Sequence, residues 1–158
     1  MTISFRKATQ NDISSIVEML ADDDLGSKRE NFKIPLPQEY IEAFNNISAD
    51  ANQELIVVET ENSKIVGTLQ LSFIQYLTYQ GGIRAQIEAV RIKKDFRGQG
   101  LGKKMFEWAI QRAKHKNAHV LQLTTDKQRP KAIQFYKDLG FIDSHEGMKY
   151  PLKKVSKT

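Results

Sequence analysis

The chain has 158 residues, no Cys, 24 Lys and Arg against 19 Asp and Glu, and a formal net charge of +5 at pH 7. Its length is that of one domain with its own core, and its 40% hydrophobic and 27% charged residues are typical of a globular chain. The absence of Cys excludes disulfides, thiolate metal sites and a cysteine nucleophile.

The N-terminal part is predicted to form one strand and two helices. Ile3–Ala8 alternates as a strand does, and Thr9 offers an N-cap for a helix that ends near Asp22–Asp24. Residues 25–37 contain Gly and Pro and indicate a loop, and Tyr40–Ile47 has the apolar spacing of a second short helix. A packing helix and a lid that faces a substrate both fit this region.

The middle of the chain is rich in β-forming residues. Glu54–Glu59 and Ile65–Tyr79 are separated by a polar turn and predict a hairpin. Gln80–Gly82 turns the chain again into another predicted strand, Arg84–Ile92.

After residue 92 the apolar period changes to that of helices. Gly102–Lys116 predicts an amphipathic helix, His119–Thr125 a strand, and Pro130 the start of a helix that Gly140 ends. Phe141–Leu152 is expected to supply a last strand or hairpin. The order β-α-α-β-β-β-α-β-α-β is typical of an α/β domain with a mixed sheet.

The charge is distributed unevenly along the chain. Residues 1–90 carry a net charge of −6, and residues 91–158 carry +11. The split suggests an anionic partner for the second half, although a solvated basic surface would give the same count. Nucleic acid is not the expected partner, because the basic residues are not interleaved with aromatic residues in a stacking pattern. A phosphate-rich cofactor is the other candidate.

Membrane and metal sites are not expected. The longest purely aliphatic run, Leu55–Val58, is far shorter than a membrane span of about 20 residues, and Met1–Thr9 lacks the apolar core of a signal peptide. His115, His119 and His145 are too dispersed along the chain to suggest a metal site. We therefore expect a cytoplasmic protein without a membrane partner.

The most informative segment is Arg97–Lys103, RGQGLGK, which follows a predicted strand and opens a predicted helix. Three Gly let the backbone approach a ligand closely, and the free N–H groups of a helix start favour an anion. Arg97 and Lys103 add positive charge. The segment fits neither a Walker A loop nor the Rossmann G-x-G-x-x-G pattern. It predicts a diphosphate site, with an accidental Gly-rich turn as the alternative.

This segment also resembles the R/Q-x-x-G-x-G/A signature of the GCN5-related N-acetyltransferase (GNAT) family, with Arg97, Gly100 and Gly102 in its fixed positions. Ala132–Phe141 is similar to the family's A-x-x-F-Y-x-x-x-G-F element. The resemblance implies a central mixed, twisted sheet of about six to seven strands flanked by about four helices. It also implies a single acetyltransferase domain over residues 1–152, followed by a basic tail at residues 153–158.

The resemblance implies acetyl-CoA as cosubstrate, and the phosphates of coenzyme A agree with the basic second half. By the family pattern, the main chain beside Val90 pairs with the pantetheine arm, and the glycine loop wraps the diphosphate. The residues expected to bind the cofactor are Val90, Arg91, Ile92, Arg97, Gly98, Gln99, Gly100, Leu101, Gly102, Lys103, Asp126 and Arg129. Arg129 fits a phosphate contact or a solvated side chain. Asp126 stands where many members place an Asn, and it could instead cap the next helix.

Acetyl transfer to an amine needs a base, a stabilised oxyanion and a leaving thiolate. Strict alternation along the predicted strand Arg84–Ile92 places Glu88 on the same face as Val90 and Ile92, where apolar neighbours would make it a stronger base. An exposed or salt-bridged Glu is the alternative. By the family pattern, Tyr136 is the candidate acid beside the thioester sulfur, with a core Tyr as the alternative. Without Cys, direct attack in a ternary complex is expected.

The acceptor is predicted only by class. Acidic side chains in the N-terminal part, Asp22–Asp24 among them, would favour a cationic small amine or simply form a solvated surface. Tyr76 and Tyr79 fit an acceptor pocket or exposed strand aromatics. A small-molecule amine is the leading hypothesis, ahead of a protein acceptor and of a non-catalytic acyl-CoA-binding regulator that contacts nucleic acid through Lys127–Lys131 and the tail. The resemblance also leaves open a homodimer.

Overall fold

A computed structural model describes residues 1–153, so that residues 154–158, with most of the predicted basic tail, lie outside the described residues. The strands are β1 (Ile3–Lys7), β2 (Gln53–Thr60), β3 (Ile65–Gln75), β4 (Ile83–Ile92) and β5 (Val120–Gln122). The helices are α1 (Ile13–Ala21), α2 (Gly26–Arg29), α3 (Gln38–Ala49), α4 (Thr78–Gly81), α5 (Leu101–His115) and α6 (Pro130–Asp138). No helix among the described residues is long and apolar enough to cross a membrane.

The five strands form one sheet in the order β1-β2-β3-β4-β5. Neighbouring strands run antiparallel from β1 to β4, and β5 runs parallel to β4. The predicted mixed α/β sheet is therefore confirmed. The sheet has five strands in the described part of the chain rather than the six to seven that were predicted.

The missing strand is the one predicted at Phe141–Leu152, and this prediction is wrong. Within residues 1–153 no strand follows β5, and the alternating apolar side chains Met148, Tyr150 and Leu152 are exposed. The segment is poorly suited to a ladder, because its first part is polar and Pro151 has no N–H to donate. Phe141 alone joins the core, against Phe106 and Tyr136.

The main core lies between the sheet and α5. Cross-strand partners such as Leu71 and Ile87 share one face, and they pack with Met105, Phe106 and Ala109 of α5. The opposite face is covered by α1, which lies against β3 and β4 and buries its own apolar stripe. The two helices therefore approach β4 from opposite sides of the sheet.

A buried ion pair attaches α5 to β2. Arg112 donates from Nε and Nη2 to the two carboxylate oxygens of Glu54 at 2.8 and 2.6 Å, and the Glu54 side chain is only 3% exposed. Hydrogen bonds from Arg112 outweigh the burial and hold the pKa of Glu54 below its ordinary value of 4.5. Both oxygens of the carboxylate are thus paired inside the core.

A β-bulge interrupts β4. Thr68 of β3 stands opposite Arg91, while Gln70, two residues along, stands opposite Glu88. One residue of β3 therefore stands opposite two residues of β4. The extra residue of β4 is accommodated at Ala89, which has a positive φ of 53°.

The bulge shifts the alternation of side chains along β4. Cross-strand partners share a face, so Glu88 and Arg91 lie on the α1 side of the sheet, whereas Ile92, opposite Gly67, lies on the α5 side with Val90. The prediction that Glu88 shares a face with Val90 and Ile92 is wrong. Glu88 is exposed rather than surrounded by apolar side chains.

We expect Arg112→Met to lower the free energy of unfolding by about 3 kcal/mol at neutral pH, because it leaves the Glu54 carboxylate buried without a partner. The folded-state pKa of Glu54 is depressed, so the pair stabilises the protein above pH 4.5, and this contribution is lost as the pH falls through the folded value. The difference between wild type and variant should therefore shrink on acidification.

Urea unfolding of both proteins between pH 3 and pH 7 measures this effect. Glu107→Gln is the control, because its 3.9 Å pair with Lys103 is exposed, and it should change stability by less than about 0.5 kcal/mol. Equal losses for the two variants would contradict the assignment.

Candidate functional site

A cavity of about 800 Å³ opens where β4 ends, between the β4–α5 loop, the α1–α2 loop and α6. It brings together most of the predicted site. The predicted residues that line it are Val90, Arg91, Ile92, Arg97, Gly98, Gly100, Leu101, Gly102, Lys103, Arg129 and Tyr136.

Three predicted residues do not line the cavity. Glu88 lies one residue before the bulge and is exposed. The Gln99 amide donates to the carbonyl of Asp95 at 3.3 Å, beside the loop. Asp126 accepts the N–H of Gln128 at 2.8 Å in the turn before α6, whose N-cap residue is Arg129. Asp126 therefore orders this turn and does not cap the helix.

The glycine loop leaves free space beside its backbone. Gly98 and Gly100 have positive φ values of 74° and 78°, and no heavy atom lies within 4 Å of where a Cβ would stand at either residue. Gly100 is the N-cap residue of α5, so the first N–H groups of this helix begin at the cavity. With Arg97 and Lys103 beside them, these groups fit an anion such as a diphosphate.

The main chain of β4 also has an open edge at this place. β5 pairs with β4 only from Arg84 to Gln86, and no strand among the described residues pairs with this edge from Ile87 to Ile92. Exposed main-chain donors and acceptors on a strand edge bind an extended ligand. The predicted main-chain contacts at Val90, Arg91 and Ile92 therefore face no competing strand of the described chain.

Asp23 links three parts of the cavity wall. Its Oδ1 accepts the N–H of Gly26, and its Oδ2 accepts from Arg129 at 2.8 Å and lies 3.4 Å from Nε of Arg91. Burial works against the ionised carboxylate, but the Gly26 N–H and the two arginines outweigh it and keep the pKa of Asp23 low. The α1–α2 loop is thus fixed to β4 and to the start of α6.

Two of the three acidic side chains in Asp22–Asp24 are therefore paired with arginines of the cavity wall. Asp22 also pairs with an arginine, since its carboxylate lies 3.3 Å from Nη2 of Arg97. No local sequence pattern indicates these pairs, because 68 or more residues separate Asp23 from its two arginines and 75 separate Asp22 from Arg97. Asp22 and Asp23, two of the carboxylates expected to favour a cationic amine, are thus partnered by arginines.

Tyr136 belongs to the cavity and to the core at once. Its ring packs edge-on against Phe106 and Phe141, with centroids 5.4 and 6.0 Å away, and the residue lines the cavity. Burial raises the pKa of its hydroxyl, while the charges of Arg129 and Arg91 act in the opposite direction. The phenol is therefore protonated at neutral pH and can donate a proton.

The aromatic pair considered for the acceptor lies elsewhere. Tyr76 follows β3 and Tyr79 lies in α4, and both pack around His119, with the Tyr79 and His119 rings stacked at 4.6 Å. Neither Tyr lines the cavity. Among the described residues, no group of three His, Cys, Asp or Glu could hold a metal ion.

A model of the acetyltransferase (GNAT) family matches residues 17–141, which include the bulged strand, the glycine loop and α6. The chain belongs to the GNAT family. The resemblance to this family is thereby confirmed, and the α/β fold predicted for the chain matches the fold of GNAT relatives. Members of this family use acetyl-CoA.

Solved structures match almost the whole chain. A protein from Bacillus halodurans, described as a transcriptional regulator, is 52% identical with a TM-score of 0.91, and the match covers 96% of this chain and 100% of that one. A predicted acetyltransferase from Clostridium acetobutylicum, solved with acetyl-CoA, is 27% identical with a TM-score of 0.72, covering 96% and 97% of the two chains.

Curated relatives match a shorter part. The uncharacterized N-acetyltransferase ycf52 of Pyropia yezoensis is 35% identical over 95 residues, which are 60% of this chain and 49% of that protein. The chain spans about half the length, or less, of the curated relatives it matches.

We expect Gly100→Ala to weaken acetyl-CoA binding about tenfold or more, because the added Cβ stands beside the helix N-terminus in the space that a diphosphate would fill. A positive φ costs a non-Gly residue about 1–2 kcal/mol, so some stability is lost as well. Isothermal calorimetry gives the affinity and thermal unfolding gives the stability.

Gly81→Ala is the matched control for backbone strain. Gly81 has a φ of 75° and equally open surroundings, but it lies in α4, away from the cavity. It should lose comparable stability and keep its affinity for acetyl-CoA. Equal weakening in both variants would show that strain, and not the cavity, decides the result.

Proposed function

We propose that the protein is an acetyl-CoA-dependent N-acetyltransferase that transfers an acetyl group to a primary amine of a small molecule. The observation that carries this proposal is a single cavity that combines the glycine loop at the N-terminus of α5, the open edge of bulged β4 and Tyr136. Family membership supports an acyltransferase, and the N-acetyltransferase names of relatives point the same way.

The residues present fit the cosubstrate. Gly98–Lys103, with Arg97, would hold the diphosphate through N–H groups and positive charge. The main chain of Val90–Ile92 would hold the pantetheine arm along the open edge of β4. The cosubstrate supplies the activated acetyl group, and the protein supplies position, proton transfer and charge stabilisation.

Proton transfer would need two groups. A lysine-like amine with a pKa near 10.4 is almost entirely protonated at neutral pH, so a base must accept its proton before attack. Glu88 remains our proposed base, acting through water, because it is the carboxylate next to the bulge. A main-chain N–H near Val90 would stabilise the oxyanion, a role worth a few kcal/mol in other enzymes.

Tyr136 is our proposed general acid. It would donate its phenolic proton to the departing sulfur while its ring stays fixed by the core. The ordinary pKa values of a phenol and a thiol differ by about 1.5 units, so full transfer is uphill by roughly 2 kcal/mol. The residue would therefore assist departure and not be indispensable. With no Cys in the chain, the amine attacks the thioester directly in a ternary complex.

A second candidate is an acyl-CoA-binding regulator. The Bacillus halodurans relative that is 52% identical to this chain is described as a transcriptional regulator. Turnover with an amine would argue against a purely regulatory role. A DNA affinity that falls steeply with salt, in a protein without turnover, would favour it.

The first experiment measures the thiol released from acetyl-CoA with a panel of amines. The protein adds no thiol background, because it contains no Cys. Tyr136→Phe should lower kcat about 10- to 100-fold and leave the KM for acetyl-CoA within about threefold. Tyr76→Phe is the control, because this hydroxyl lies outside the cavity. Unchanged kcat in Tyr136→Phe would refute the acid assignment.

Glu88→Gln tests the base in the same assay. A lost general base should lower kcat by about 100-fold at pH 7 and reduce the dependence of the rate on pH. Glu107→Gln, an exposed carboxylate on α5, should have no effect. A normal pH profile in Glu88→Gln would assign the proton to another acceptor and leave the acetyltransferase proposal intact.

A further inference from the structure

Three arginines, which we call the arginine cluster, lie near one another: Arg91 and Arg129 line the cavity together with Tyr136, and Arg29 lies close to Arg91. Arg29 belongs to α2, Arg91 to the bulged end of β4, and Arg129 precedes α6. The charges of Arg129 and Arg29 both act on Arg91, and the charges of Arg129 and Arg91 both act on Tyr136. Arg91 and Arg129 thus lie in the same cavity wall as Tyr136, the residue proposed as the acid, and they are not part of the glycine loop.

Arg91 is the least satisfied member of the cluster. Its side chain is 12% exposed, and within residues 1–153 its guanidinium donates to the Val90 carbonyl at 2.9 Å while its Nε finds no hydrogen-bond acceptor. Asp23 is near, but its Oδ2 already accepts from Arg129 at 2.8 Å. A guanidinium has five N–H donors, and unpaired buried donors are costly. The Nε–H of Arg91 is therefore a buried donor without a hydrogen-bond acceptor in the described chain, although it lies 3.4 Å from Oδ2 of Asp23.

The charges of the side chains that line the cavity also favour the binding of an added anion. The lining contains five basic side chains, Lys28, Arg91, Arg97, Lys103 and Arg129, and two acidic ones, Asp23 and Asp24. A diphosphate at the glycine loop would use Arg97 and Lys103, which flank that loop. Arg91 and Arg129 then share the single Asp23 carboxylate. This end of the cavity is suited to a second anion and disfavours a cation.

We propose that the amine acceptor carries an anionic group, a carboxylate or a phosphate, and that Arg91 and Arg129 bind this group. The inference rests on the proposed acetyl transfer. Arginine binds both kinds of anion through pairs of parallel N–H donors, so the shared chemistry is a planar or tetrahedral oxyanion. An acceptor held there would place its amine near Tyr136, beside the reacting thioester. Arg91 is then a specificity-determining residue.

The test compares amines that differ only in the anionic group. O-phosphoethanolamine is paired with ethanolamine, and glycine is paired with glycinamide, so that the two arms separate a phosphate from a carboxylate. Calorimetry measures their binding to the protein loaded with coenzyme A, which requires no turnover. We expect one member with an anionic group to bind at least tenfold more tightly than its partner without that group, and Arg91→Gln to weaken that binding about 10- to 100-fold.

The matched control is Arg84→Gln. Arg84 lies on the same strand and the same side of the sheet, and its Nε is also buried without an acceptor in the described chain, but it packs on Tyr76 away from the cavity. It should keep the preference for the anionic amine. Arg84→Gln should bind acetyl-CoA within about threefold of the wild type, as measured by the same method, and so should Arg91→Gln if only the main chain of this residue contacts the cofactor.

The outcomes separate this inference from the proposed function. Equal affinity for the amines with and without the anionic group would overturn the inference, even if amines are acetylated. Loss of acetyl-CoA affinity in Arg91→Gln, with acceptor binding unchanged, would also overturn it and make Arg91 a cofactor ligand. Selective binding of an anionic amine that disappears in Arg91→Gln would support the inference. If such binding were found without thiol release, only the proposed acetyl transfer would be refuted.

Discussion

The bulge at Ala89 is the constraint on which the site depends. It adds one residue to β4 at the point where β5 no longer pairs with it, so the end of β4 presents its main chain to the cavity. It also turns Arg91 to the α1 side and leaves Ile92 on the α5 side. A positive φ at a non-Gly residue costs about 1–2 kcal/mol, and such strain is retained where the surrounding packing fixes it. Here the flanking residue Ile87 is buried in the core.

The uneven charge of the sequence has a structural counterpart at the same place. The acidic first part of the chain meets the basic second part where Asp22 contacts Arg97 and where Asp23 contacts Arg129. These pairs are only partly buried, so each contributes modestly to stability. Their larger effect is on geometry, because they hold the α1–α2 loop over the end of β4 and close one wall of the cavity.

Local patterns in the sequence were enough for the fold class and for the glycine loop. Arg97–Lys103 could be predicted because a strand, three Gly and a helix start follow one another directly. Contacts between segments that lie far apart in the sequence could not be predicted from such patterns. The bulge arises from the register of β3 against β4, and a one-residue shift reverses every side chain, which is why Glu88 was placed on the wrong face. The roles of Asp23 and Arg91 likewise depend on contacts across 68 residues.

In the C-terminal segment, a local pattern predicted a strand that the described structure does not contain. Met148, Tyr150 and Leu152 have the alternation of a strand, and the pattern alone predicted one. A strand forms only where a partner edge supplies donors and acceptors in register, and in the described chain this segment has none. Periodicity therefore reports which residues can share a face, and the surrounding structure decides whether the ladder exists.

Two arginines of this chain show how hydrogen-bond capacity separates a structural charge from one suited to a ligand. Arg112 meets Glu54 through two short bonds, and both oxygens of that buried carboxylate are occupied. Arg91 is also largely buried, but it competes with Arg129 for one oxygen of Asp23. A buried ion pair that is complete leaves no role for a further anion, whereas an incomplete one retains the desolvation cost of its charge. That cost is relieved only by an added acceptor, and the open cavity next to Arg91 is where one can enter.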